Sequence, residues 1–196
     1  MSTLTAPAAR TTAPSDVTNA LRRARAALAL GTAAAVLLAG INLFVATSTD
    51  DGKFHHAGDY WLTADGIPYM LALLALLPAL RVLQGRRDGR LGTAGITVAS
   101  IGAVVLLAMF VYGLAAATNG SFGPTYVLAS LATLIGVVLY AAGSWHARVL
   151  PRWLLVLWVV GWAVGSVLPV PGPAPLLLAA AYIVMAFVLP RRVPRP

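Results

Sequence analysis

Apolar residues run along this chain in long blocks separated by short polar breaks. Residues 26–49, 66–80, 91–147 and 153–190 contain no Asp, Glu, Lys or Arg. A bilayer core about 30 Å thick takes roughly 20 apolar residues to cross at about 1.5 Å per helical residue. Cut at their glycine, proline and charged interruptions, the blocks predict six helices, at about 26–47, 64–83, 92–116, 126–144, 153–168 and 175–189. Lipid offers backbone N–H and C=O groups no partner, so each crossing must pair its own. The expected fold class is all-α, an integral membrane bundle of six transmembrane helices.

The breaks carry their own signals. Residues 1–16 are rich in Ala, Ser, Thr and Pro without an apolar face, and read as a disordered tail. Ser15 or Asp16 can cap a short lead-in helix, because each accepts hydrogen bonds from free backbone N–H groups. Asp65 with Pro68 marks the start expected for the second helix. Pro78 lacks an N–H and frees the carbonyl of Leu74, which predicts a kink in that helix. Asn119-Gly120 and Gly123-Pro124 form a turn between the third and fourth helices. Pro169, Pro171, Pro173 and Pro175 make a stiff hairpin between the last two. The domain plan is thus a tail over 1–16, a transmembrane domain over 17–190 and a basic tail over 191–196.

Charge adds an orientation. The arginines at 10, 22, 23, 25, 81, 86, 87, 90, 148, 152, 191, 192 and 195 fall on one side of the predicted bilayer, joined there by Asp16 and Asp88. The other side holds Lys53, the sole lysine, with Asp50, Asp51, Asp59 and Asp65. Basic residues concentrate on the cytoplasmic side, so both termini are expected there. Tyr60, Trp61 and Phe122 fall at the outer interface and Trp145 and Trp153 at the inner one, as interfacial aromatics do. The arginine-rich, lysine-poor composition fits a bacterial cytoplasmic membrane.

Of 196 residues, 59% are hydrophobic and 10% charged. Soluble domains carry about a quarter charged residues, so this chain cannot cover a water-facing surface. The net charge of +8 comes from short clusters flanking apolar runs, which argues for anionic lipid and against nucleic acid. With no cysteine, disulfides, thiolate metal sites and cysteine nucleophiles are excluded.

Candidate chemistry is sparse. The outer segment 48–61 holds Asp50, Asp51, His55, His56 and Asp59, residue types that ligate zinc or manganese. The alternative is a solvated acidic loop. Asp59 or Asp65 is the candidate general acid of a membrane-embedded lipid or isoprenoid enzyme. Tyr69, Tyr112, Trp158 and Trp162 would stabilise a developing cation through their π faces. The competing reading makes Asp65 a helix cap and the aromatics ordinary packing. His146 stands alone at the inner end of the fourth helix, without a second histidine at its depth to share a haem. Gly161-x-x-x-Gly165, and more weakly Gly95-x-x-x-Ala99, permit close helix approach. Asn42 is expected to hydrogen-bond a neighbouring helix.

No cofactor is implied. The expected partners are membrane lipids and another membrane protein. Without charge in the core of any predicted span, the leading expectation is a non-catalytic accessory or scaffold protein. The alternatives are a small transporter or facilitator for an uncharged or lipid-like solute, and the enzyme using Asp65 or Asp59.

Overall fold

The computed structural model describes residues 14–45, 52–85, 87–118, 123–167 and 172–192. Among them are six helices: α1 Pro14–Phe44, α2 Ala57–Leu83, α3 Gly89–Ala116, α4 Gly123–Ala147, α5 Arg152–Trp162 and α6 Pro175–Arg192. Five are long and apolar enough to cross a bilayer; the helical stretch Arg152–Gly165 is apolar but shorter. The chain has the helical, apolar build of a multi-pass membrane protein.

Two helices start seven or more residues earlier than the apolar pattern indicates. α1 begins at Pro14, so the lead-in runs into the first span without a break. α2 begins at Ala57 rather than at Asp65, because Asp59 acts as its capping group. The Asp59 carboxylate accepts the backbone N–H groups of His55 and His56, both at 2.9 Å. Those are N–H groups a helix start leaves unpaired. Asp65 consequently lies more than two turns inside α2 and caps nothing. Pro68 and Pro78 are both contained within α2. At the far end of α5 the chain widens into a π-helical turn, Ala163–Val167.

The helices form a closed ring in which each packs on its sequence neighbours and α6 returns to α1. Pairs of contacts give the directions. Gly31 of α1 lies under the Tyr182 ring of α6, and Gly172, just before α6, meets Leu43 near the other end of α1. Gly161 faces Leu178, and Gly165 faces Pro175. α6 therefore runs antiparallel to both α1 and α5. Gly66 lies under Phe110, while Arg81 meets Thr93, so α2 and α3 are also antiparallel.

The α3–α4 seam is the tightest. A Cβ on Gly95, Gly102, Gly136 or Gly143 would collide with backbone atoms of the facing helix. Lipid gives helices no hydrophobic reason to associate, so small residues that bring backbones together supply dispersion contact instead. The ring's centre is filled by Leu73, Leu76, Leu77 and Leu80 of α2, Tyr140 of α4, Trp158 and Trp162 of α5 and Tyr182 of α6, all 1% exposed or less.

Outside the bilayer-length segments, one clasp joins two loops. Lys53 and Thr118 form an antiparallel bridge, and the Phe54 N–H donates to the Ala117 carbonyl at 3.1 Å. The Thr118 hydroxyl donates to the Gly52 carbonyl at 2.6 Å.

Candidate functional site

Polar side chains enter the bundle at two levels. The first is the outer half of α2. Asp59, Thr63 and Asp65 are all buried. Asp59 is occupied by capping, and the Thr63 hydroxyl donates to the Asp59 carbonyl oxygen at 2.8 Å. Asp65 is 3% exposed and its Oδ1 has no hydrogen-bond partner. A charged side chain in a span costs about 2.5–3.5 kcal/mol even on insertion scales, so such groups tend to mark function.

One helical turn further along α2, Tyr69 shares the face of Asp65. Its ring meets Trp162 edge-on, centroids 5.1 Å apart. The Trp162 Nε1–H donates to the Tyr182 hydroxyl at 3.2 Å, which satisfies a buried indole. A line of polar-tipped aromatics thus leads from below Asp65 into the centre. Tyr69, Trp158 and Trp162 are buried there, whereas Tyr112 is 56% exposed on α3.

The second level is the opposite end, where α2 turns into α3. Asp88 has a fully buried side chain, and its Oδ2 lies 3.6 Å from Arg81 Nε. The Arg81 Nη2 donates to the Thr93 hydroxyl at 2.6 Å. Gln84 Nε2 donates to the Ser144 hydroxyl at 2.9 Å, tying this turn to α4. Gly92 leaves the space that Asp88 occupies, since a Cβ there would collide with the carboxylate. The Tyr140 ring packs edge-on against Trp158. This network ranks a buried ion pair beside a buried amide–hydroxyl pair, and its role as it stands is to hold three helices at fixed spacing.

Sequence reasoning missed Gln84, Ser144 and the Arg81–Asp88 pair as a unit. A signal existed: Asp88 is the one acid among the arginines of 81–90, and Gln84 stands between them.

The metal candidates are divided. Asp50 and Asp51 lie outside the described residues. His55 and His56 are exposed, while Asp59 is buried and turned to their backbone N–H groups. Among the described residues, no three His, Asp or Glu side chains gather as a metal site. His146 is exposed at the end of α4. Gly161 and Gly165 both face α6 within the same chain. Asn42 is exposed near the end of α1, flanked by the exposed Leu43 and Phe44.

No known family model, curated protein or solved structure matches this chain. Its class is therefore set by its own helices, as a multi-pass membrane protein.

Proposed function

We propose that the chain crosses a bacterial cytoplasmic membrane six times, with both ends in the cytoplasm, and serves as a non-catalytic accessory or scaffold protein. The observation carrying this reading is the filled centre of the ring. Its largest side chains, Trp158, Trp162, Tyr140 and Tyr182, occupy the space through which a solute would pass. Binding surface is then left on the outside. Asn42 supports that view, because an amide among exposed apolar side chains gains from a hydrogen-bonding partner in place of lipid.

The sixth crossing is supported by the return of α5 against α6. Residues 152–167 span roughly 24 Å at 1.5 Å per residue, short of the roughly 30 Å hydrocarbon layer. The arginines at its start supply the side chains that reach the interface. The tails over 1–16 and 191–196 belong to the cytoplasm in this arrangement.

The test is a photo-crosslinking side chain placed at Asn42 in native membranes. The scaffold reading expects one defined membrane-protein adduct, lost when the same group is placed at Gly165, which is buried. Adducts to lipid alone, together with solute uptake by the reconstituted protein, would sink it.

Asp65 favours a second reading. Here a buried carboxyl with a free Oδ1 serves a carrier of an uncharged or lipid-like solute, or a membrane-embedded enzyme. Asp65→Asn separates the readings. If it inserts normally yet fails to complement a deletion strain, the second reading leads; full complementation removes it.

A further inference from the structure

The arginines that the sequence scatters over distant segments meet at one place in the ring. α1, α6 and α5 are consecutive neighbours, and α6 is antiparallel to both. Their levels can be compared from fixed contacts. Gly31 touches Tyr182, which sets the level between α1 and α6, and Gly161 faces the Leu178 backbone, which sets it between α5 and α6. Arg22 is nine positions from Gly31 and Arg191 nine from Tyr182; Arg152 is nine from Gly161, while Arg191 is thirteen from Leu178. At about 1.5 Å per residue, the α1 and α6 arginines reach one depth, and Arg152 lies roughly 6 Å short of Arg191, within the reach of an arginine side chain.

Arg22, Arg23 and Arg25 of α1, Arg191 and Arg192 of α6, and Arg148 and Arg152 at the α4–α5 turn therefore form one exposed basic collar. The depth of the collar is marked by its tryptophans. Trp153 is 57% exposed, and the Arg152 guanidinium lies 5.1 Å from the centre of the Trp145 ring. Exposed indoles sit at the headgroup level. The acid described on this side of the collar is Asp16, well before Arg22 on α1. The α2–α3 turn differs, since its Arg81 is matched by the buried Asp88.

We propose that this α1–α6–α5 collar is a binding site for a phospholipid carrying two phosphates. The inference rests on the multi-pass membrane assignment but not on the scaffold or carrier reading. Guanidinium forks bind phosphate bidentately, and α1 and α5 flank α6 on opposite sides, about 16–20 Å apart at the usual helix spacing, so two phosphates match their arginines better than one. Neighbouring helices lie about 8–10 Å apart, a distance that extended arginine side chains close from either side. Acyl chains would lie along the exposed apolar faces of α1 and α6, where Leu30, Val36, Leu37, Ile183 and Phe187 are exposed.

The test uses the purified full-length protein in phosphatidylcholine nanodiscs doped with cardiolipin, with retained lipid counted by native mass spectrometry. Phosphatidylglycerol at equal total charge and pyrophosphate in solution form the comparison arms. Retention of cardiolipin above phosphatidylglycerol, with pyrophosphate leaving it unchanged, is expected. R191Q/R192Q should weaken retention roughly thirty-fold, on the scale of about 1 kcal/mol per basic residue. R87Q/R90Q removes the same charge from the other turn and should change it less than about three-fold. Circular dichroism checks that each variant keeps its helices, and R148Q/R152Q replaces R191Q/R192Q if the latter fails to insert. Equal weakening by the two charge-matched variants, equal retention of the two lipids, or displacement by pyrophosphate would each overturn the proposal. The first two would mean general surface attraction, and the third a site for free phosphate.

Discussion

Arg81 and Asp88 face one another across the turn from α2 to α3, Nε to Oδ2 at 3.6 Å, with the acid fully buried and the base 28% exposed. The asymmetry makes the partners unequal. Arg81→Leu leaves a carboxylate sealed among helices, whereas Asp88→Leu leaves a guanidinium able to reach the surface. Removing one partner of a buried pair costs about 3–5 kcal/mol. We expect Arg81→Leu to show that full loss of stability, Asp88→Leu a smaller one, and the double variant to recover most of it. Unfolding titrations in detergent measure this, and equal losses for the two single variants would contradict the burial difference.

The α3–α4 seam predicts a contrast between glycines. Any side chain on Gly136 must displace the Ala99 backbone, whereas a Cβ on Gly40 meets nothing within 4 Å. Gly136→Leu should lower stability by about 3 kcal/mol or more, through forced separation of the two helices. Gly40→Ala should raise it by about 0.5–1 kcal/mol, because alanine loses less backbone freedom in a helix. Thermal unfolding of both variants in one detergent is the measurement.

At the head of α2, the hydrogen bonds to Asp59 come from the backbone of His55 and His56 rather than from their rings. Asp59→Ala should therefore cost about 1 kcal/mol, as lost caps do. The His55→Ala/His56→Ala variant should lose less, since the N–H groups remain. Hydrogen exchange over residues 55–60 reports the same difference locally.

In the centre, Trp162→Phe removes the N–H that Tyr182 accepts and also shrinks a buried indole to a phenyl ring. The void adds to the loss of about 0.5–1.5 kcal/mol usual for one hydrogen bond, so a loss of about 2 kcal/mol or more is expected. Tyr182→Phe should cost the hydrogen bond alone and, combined with Trp162→Phe, should add little. Additive losses in this cycle would show that the two groups act separately.

Much of the fold was legible because lipid imposes one strong rule: long apolar runs must be helical. All six expected helices have a counterpart among the described residues. Their ends were harder to read, since a helix start depends on which side chain takes the free N–H groups. From the sequence Asp65 looks like the cap of α2, whereas Asp59 is the carboxylate that takes the free N–H groups. Asp65 lies more than two turns inside α2 because that helix begins at Ala57. Gly95 and Ala99 looked weaker than Gly161 and Gly165, yet Gly95 and Ala99 lie in the closest seam, where glycines of α4 complete the fit. A motif on one helix says nothing of the small residues opposite. The π-helical turn after Trp162 left no trace in the apolar pattern. Of the candidate site, Asp65 was named from sequence, but the pairing of Arg81 with Asp88 required two residues seven apart to be brought round a turn.

Closure of the ring by α6 against α1 sets an order of events during synthesis. α1 is made before α6 and has one flank that α6 covers. Until then, Gly31 and its small-residue neighbours face whatever the membrane offers. That flank of α1 stays open until α6 is made, so truncation before α6 leaves an open seam rather than a shorter finished bundle.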